Sequence, residues 1–325
     1  MATLASSLAS QQRLMVRVAR MYYEHGDRQP QIAEQLHISQ AKVSRLLKRA
    51  EEVGIIRVAI QEPRDGHSDL EEALTVRYGL ADAIVVSADV DDESNIISAI
   101  GAAAAGYLGE ILLSHERIGV SSWSATLLAI VNNMPRAQRQ VADTVVQVLG
   151  GFGEPTAQVQ ATRLAEQLAA ATGASPLFLA APGFVSSAEL SAAILSEPYV
   201  AKTAAAWSDL TVLLAGIGSL EPSPLLRQSG NSLPQEAQSE LLSLGAVGDV
   251  CLRFFDTEGQ LVSSPIDERV VGISPAMVFQ VPRRIGVAGG KRKHIAIRAA
   301  LLGGWINVLV TDTETAKFLV VGGES

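Results

Sequence analysis

The chain has 325 residues, of which 48% are hydrophobic and 18% charged, with 34 acidic against 26 basic side chains and a formal net charge of −8. That length allows a large core and two domains or more, in a composition that suits a well-packed cytosolic protein. The lone Cys251 excludes a disulfide framework and a thiolate metal site, and His25, His37, His67, His115 and His294 lack the short spacings of metal ligands.

No apolar run approaches a membrane span, and residues 1–13 lack the charge-then-apolar order of a signal peptide, so a cytoplasmic protein without membrane contact is expected. Residues 11–25 form the first amphipathic stretch, with Leu14, Val16, Val18, Ala19, Met21 and Tyr22 apolar, and Gly26-Asp27 ends it. In residues 29–53, Ile32, Ala33 and Leu36 recur at helical spacing before His37-Ile38-Ser39 breaks the period. Ser39 is a good N-cap for a second helix, since its hydroxyl can accept from a free amide of the first turn. His37 stands where many such turns carry Gly, and His tolerates the left-handed conformation better than most residues. Gly54 closes the second helix.

Val43, Leu46, Leu47 and Ala50 make the apolar face of that helix and leave Gln40, Lys42, Ser44, Arg45 and Arg49 outward. Gln and Arg bond base edges bidentately, and Ser and Lys bond bases or phosphates, so this set suits a reader of the major groove of double-stranded DNA. A merely solvated helix face is the plainer alternative. Together the two segments resemble the helix-turn-helix of bacterial transcription factors. VSRLLKRAEEVGII, at residues 43–56, resembles the SorC-type sugar-responsive regulators.

Residues 55–60 are a β-branched run expected to form one strand of a wing, with Arg57 either on phosphate or simply on the exposed face. Residues 61–68, with Pro63 and Gly66, read as a linker, and a short helix follows over 69–78. The charge is split: residues 1–62 carry +3 and the remainder −11, as expected of a basic DNA-contacting head on an acidic body.

From residue 81 onward short apolar strands alternate with longer helical segments. Strands are expected near 83–86, 117–120, 144–149, 176–181, 210–215, 249–255, 284–287 and 307–310, with helices over 95–114, from 126, over 157–172 and over 295–302. Near-continuous apolar strands between helices imply a mostly parallel, Rossmann-like α/β sheet covered on both faces. Ligands bind such sheets at the C-terminal strand ends, near helix N-termini. Five strand-end segments are rich in Gly or hydroxyls: residues 119–127, 149–153, 215–219 with Gly218, 248–249, and 288–293. GIGS and AGGK make neither the dinucleotide fingerprint nor the phosphate loop, and Trp123 spoils a nucleophile elbow around Ser121.

GAVGDVCLRFFDTEG, VVGIS, VAGGKRKHIAI and INVLVTDTETA, in this order, resemble the effector domain of SorC-type regulators. The resemblance covers nearly the whole chain. It implies a domain similar to sugar-phosphate isomerases that has kept binding and lost catalysis, in a homo-oligomer, commonly a tetramer, whose DNA affinity responds to a phosphorylated sugar or polyol. Carried over by position, Ser122, Ser124 and Thr126 form the phosphate or sugar loop, and Gly150, Gly151 and Gln160 line the pocket. Asp249 bonds sugar hydroxyls and Lys293 pairs with phosphate, the plainer alternatives being a turn or cap role for Asp249 and a solvated lysine at Lys293.

Ser124 stands where the family usually has Gly, which narrows the space for phosphate and leaves an unphosphorylated sugar or polyol open as effector. No cofactor or metal is expected. The organisation that follows is a winged helix-turn-helix domain over 1–61 and an effector-binding and oligomerisation domain over 62–325. The reading is a DNA-binding regulator without enzymatic activity, and the alternative is a sugar-phosphate isomerase with an appended DNA-binding head.

Overall fold

The computed structural model describes residues 2–56, 66–89, 92–121, 124–136, 139–151, 155–220 and 233–322, with backbone alone at 2–11 and 155–158. The chain divides into two compact units, Met1–Pro63 and Arg64–Ser325.

In the first unit, α1 (Ala2–Tyr23), α2 (Gln29–Gln35) and α3 (Gln40–Glu52) enclose a core of Met15, Val18, Met21, Ile32, Val43, Leu46, Leu47 and Ala50. Helix α1 starts nine residues before the amphipathic stretch that announces it, over a Leu- and Ala-rich segment with good intrinsic propensity. Gly26, at φ +75°, follows its end. The turn between α2 and α3 takes its shape from two residues. His37 adopts the left-handed conformation at φ +51°, and Ser39 Oγ accepts from Lys42 N at 3.3 Å to cap α3. Beyond α3, Gly54 is at φ +76°, and Ile55 and Ile56 fold back onto the core. The rest of the expected wing, including Arg57, lies outside the described residues.

The second unit runs α4 (Ser68–Tyr78), β1 (Asp82–Val86), α5 (Glu93–Ile111), β2 (Glu116–Val120), α6 (Ala125–Asn133), β3 (Ala142–Gln147), α7 (Pro155–Thr172) and β4 (Ser175–Leu177). It continues with α8 (Ala188–Ser196), α9 (Pro198–Ala205), β5 (Val212–Gly216), β6 (Gly218–Ser219), α10 (Gln235–Ser243), β7 (Gly248–Val250), β8 (Arg253–Phe255), α11 (Pro265–Glu268) and α12 (Pro275–Gln280). It closes with β9 (Arg283–Val287), α13 (His294–Leu302), β10 (Val308–Asp312) and α14 (Thr313–Val321).

Among the described residues seven strands form one sheet in the order β1-β10-β9-β5-β2-β3-β4, every pair parallel. Successive residues of a strand face opposite layers, and both layers are apolar. Val145, Val212, Leu214, Val308 and Val310 pack with Ile100, Leu127 and Leu164 of α5, α6 and α7. Their neighbours Val146, Leu213 and Leu309 pack with Trp207 and with Ala296 and Leu319 of α13 and α14. Burial on both faces is why the strands read as unbroken apolar runs.

After β2 the chain steps outward through β3 to β4, then returns to β5 on the other side of β2 and continues through β9 and β10. The order therefore reverses between β2 and β5, the kind of point beyond whose strand ends open parallel sheets bind their ligands.

One expected strand is something else. Residues 249–255 form a hairpin, β7–β8, which joins β6 in a small antiparallel sheet of order β6-β7-β8. Val250 pairs with Arg253 across a two-residue turn in which Cys251 and Leu252 both have positive φ, +56° and +58°. Positive φ at both turn residues is the geometry that matches hairpin twist, here adopted without the usual Asn or Gly. The strand expected over 176–181 is shorter, ending at Leu177. Helices α8, α9, α10, α11, α12 and α14 have no counterpart among the expected elements. Among the described residues no helix is long and apolar enough to cross a membrane.

Candidate nucleic-acid interface and effector site

On α3, Gln40, Lys42, Ser44, Arg45 and Arg49 are all exposed, while Val43, Leu46, Leu47 and Ala50 are buried. The outward face is thus the one the helical period requires. Arg45 Nε donates to Ala41 O at 3.2 Å, which holds the exposed side chain back toward the first turn of α3. Arg49 Nη1 is bound to Glu52 Oε2 at 2.8 Å, so part of its charge is neutralised locally. Lys48, which the sequence reading passed over, is exposed as well. Tyr23 Oη donates to Glu51 Oε1 at 3.1 Å and ties the end of α1 to α3.

In the α/β unit, Ser124 stands at the reversal between β2 and β5. Its backbone is extended, and its Oγ accepts from Leu127 N at 3.1 Å to cap α6. A Cβ added to Gly216, at the end of β5, would lie 3.5 Å from that Oγ. Thr126 is buried in the first turn of α6, and Ser122 lies outside the described residues.

Gly218 pairs with Asp249 across β6 and β7, and a Cβ on Gly218 would overlap Asp249 Oδ1. Asp249 Oδ2 accepts from Leu252 N at 2.9 Å, bracing the left-handed turn. Burial pushes the Asp249 carboxyl up to about 6, against the opposing pull of the Leu252 amide and the Lys293 charge. Lys293 ends the short turn after β9, which packs against β6. Burial lowers its pKa, the neighbouring Arg292 adds to that, and Asp249 and Glu93 oppose it. Among the described residues Asp249 and Lys293 feel each other's charge without forming an ion pair within 4 Å.

Ser124, Gly218, Asp249 and Lys293 thus follow β2, β5 and β9, three adjacent strands, or belong to the hairpin packed against them. Gly150 and Gly151 lie one strand further out, beyond β3. Their amides donate to Val271 O at 3.0 Å and Ala181 O at 2.9 Å, and a Cβ on Gly150 would lie 2.6 Å from Ala181 O. What these glycines supply is a close crossing of backbones rather than free N–H groups. Gln160 is half-buried on α7.

Two residues that shape the site escaped the sequence reading. Arg253, 5% exposed, donates from Nε to Ile273 O at 2.9 Å, from Nη2 to Gly272 O at 3.2 Å, and from Nη1 to Asp267 O and Oδ1 at 2.8 Å each. It anchors the Asp249 hairpin to the segment that also receives the Gly150 amide. Asp312, fully buried, accepts from Gly290 N at 2.8 Å and from Thr315 Oγ1 at 2.7 Å, and so pins the loop that carries Lys293. An Asp followed by Thr-Glu-Thr is a legible cap signal for α14. Nothing in the sequence around Arg253 marks it as buried.

A three-helix head with an outward Gln/Lys/Ser/Arg face, on a chain whose parallel α/β unit gathers Ser124, Asp249 and Lys293 at adjacent strand ends, fits a ligand-responsive transcriptional regulator. The family described as "Putative sugar-binding domain" matches residues 62–321. The chain is 32% identical over 309 residues to the deoxyribonucleoside regulator of Bacillus subtilis, covering 95% of this chain and 97% of that one. It is 30% identical over 311 residues to the transcriptional regulator LsrR of Escherichia coli K12, covering 94% of each. The full-length sorbitol operon regulator SorC from Klebsiella pneumoniae has a crystal structure similar to this one, with TM-score 0.72 and 31% identity over 95% of this chain and 98% of that one. The chain belongs to the SorC-type family of sugar-binding transcriptional regulators.

Proposed function

We propose that the chain binds operator DNA through α3 and that a small carbohydrate, held at the strand-end crevice by Asp249 and Lys293, changes its affinity for that operator. The observation that carries this reading is the seating of the Asp249 carboxylate on Gly218, in reach of the Lys293 charge, beyond the sheet reversal. A carboxylate and an ammonium that feel each other without pairing can divide the hydroxyls of a sugar between them, one accepting and the other donating. The regulator names of relatives that match along nearly their whole length support the same reading.

The site is read as one of binding without turnover. Asp249 is braced by a backbone amide, and Lys293 is its one charged counterpart named above, which gives recognition but no dedicated acid–base dyad. A homo-oligomer, of tetrameric order in the family reading, would set paired α3 helices on successive half-sites. The setting is cytoplasmic.

Fluorescence anisotropy on DNA from the promoter of the protein's own transcription unit tests the proposal. Sugars, polyols and their phosphates are added one by one, and an effector should shift the apparent Kd by about 5- to 150-fold. Binding that no member of the panel alters would remove the effector role.

A further inference from the structure

We propose that α3 reads bases with a single row of side chains, Ala41, Arg45 and Lys48, in which the Ala41 methyl group selects a thymine and the two cations select guanines. This assignment rests on the DNA-binding reading above and locates the sequence preference within that helix.

The buried side chains of α3 fix which way the helix faces. Val43, Leu46, Leu47 and Ala50 point into the three-helix core. At about 3.6 residues per turn, the positions opposite their centre are Ala41, Arg45, Lys48 and Glu52, all exposed. Gln40 and Ser44 fall on one flank of this row, Lys42 and Arg49 on the other. A helix laid in the major groove turns its outermost row to the base edges and its flanks to the sugar–phosphate walls. Phosphate contacts set register without reading sequence, so the preference belongs to the central row.

Ala41 offers no hydrogen bond, but its methyl group is the complement of the thymine 5-methyl, which no other base presents in the major groove. Arg45 Nε is occupied by Ala41 O at 3.2 Å, which draws the side chain back over Ala41 and leaves Nη1 and Nη2 for a base. Those two nitrogens match guanine O6 and N7. Residues four apart on a helix are about 5–6 Å apart at Cβ and stacked bases about 3.4 Å, so the thymine and the guanine lie within two base pairs of each other. Lys48, exposed and without an ion pair among the described residues, extends the row by another turn. The row ends there, because Glu52 brings a carboxylate, held by Arg49 at 2.8 Å, rather than a further donor.

The test is a base-analogue scan, read by fluorescence anisotropy, on a duplex that the full-length chain selects from a random pool. Replacing thymines one at a time with deoxyuridine removes only the 5-methyl group. One position in each half-site should lose about four-fold in affinity, and Ala41→Gly should abolish that loss. Should glycine unsettle the helix, Ala41→Gln keeps good helix propensity and should likewise cease to distinguish uracil from thymine there. Replacing guanines with 7-deazaguanine should cost about ten-fold at one position that becomes neutral in Arg45→Ala and at another that becomes neutral in Lys48→Ala. A loss in Lys48→Ala that is uniform across sequences, with a shallower salt dependence, would make Lys48 a phosphate contact and overturn its place in the row. A flat uracil scan on a tightly bound duplex, or a uracil effect unchanged in both Ala41 variants, overturns the proposal while leaving the DNA-binding reading intact. Failure to enrich any sequence would remove that reading and the proposal with it.

Discussion

Gly218 and Asp249 face each other across an antiparallel pair, and the Asp249 carboxylate lies where the side chain of residue 218 would begin. The glycine is thus a seat for the carboxylate. Gly218→Ala should force the carboxylate off that seat and disturb the Leu252 amide bond with it. Overpacking of this kind costs about 1–3 kcal/mol. Effector affinity should fall at least ten-fold, read by titration calorimetry, while DNA affinity without effector stays as it was.

Asp249 makes the apo protein sensitive to pH. Its folded-state pKa of about 6 lies above the ordinary value of 3.8, so folding favours the protonated form. Stability from this group is complete below the ordinary value and is lost as pH rises through about 6. Asp249→Asn keeps an oxygen for the Leu252 amide and removes the charge. The variant should be more stable than wild type at pH 7.5 by on the order of 2 kcal/mol, with no gain at pH 3.5, as melting curves at the two values would show. It should lose effector binding at either pH.

Arg253 places four hydrogen bonds on Ile273, Gly272 and Asp267 from a nearly inaccessible position. Arg253→Met would take the donor from the Ile273 and Gly272 carbonyls and the ion-pair partner from the Asp267 carboxylate. A loss of about 3–5 kcal/mol is expected, seen as a lower urea midpoint for the α/β unit. Arg253→Lys should recover only part of it, because an ammonium cannot span the same acceptors.

On α3, the helix proposed to read DNA, Arg45 and Arg49 should behave differently although both are exposed. Arg45 carries no ion pair among the described residues, whereas Arg49 shares its charge with Glu52. Arg45→Ala should weaken operator binding by about 1–3 kcal/mol and relax base preference at one position of each half-site. Arg49→Ala should cost less and act evenly across sequences. Competition binding with single-base operator variants separates the two.

Much of the architecture was legible because local signals agreed. Ser39 and Gly54 bracket α3, and the unbroken apolar runs at 118–120 and 308–310 match strands buried on both sides. The hairpin at 248–255 was not legible. Its residues read as one apolar strand, and the turn at Cys251-Leu252 lacks the Asn-Gly signal that usually betrays such a bend. The reason lies in tertiary contacts that a sequence window does not contain: the Asp249 carboxylate on the Leu252 amide, and the reach of Arg253 to residues 267–273. Gly150 and Gly151 show the converse. Their glycine signal was plain, but it marks a backbone crossing with residues 181–183 as much as any ligand contact.

The alternation of the two cores along each strand also governs how this protein can change over time. Inserting or deleting one residue within β2, β5 or β9 would exchange the sides to which its remaining side chains point, and both apolar layers would fail together. The loops beyond the strand ends carry no such constraint. Length variation is therefore channelled into the strand-end loops proposed to meet the ligand, so a lineage of such chains can acquire new effectors while the scaffold beneath them stays in register.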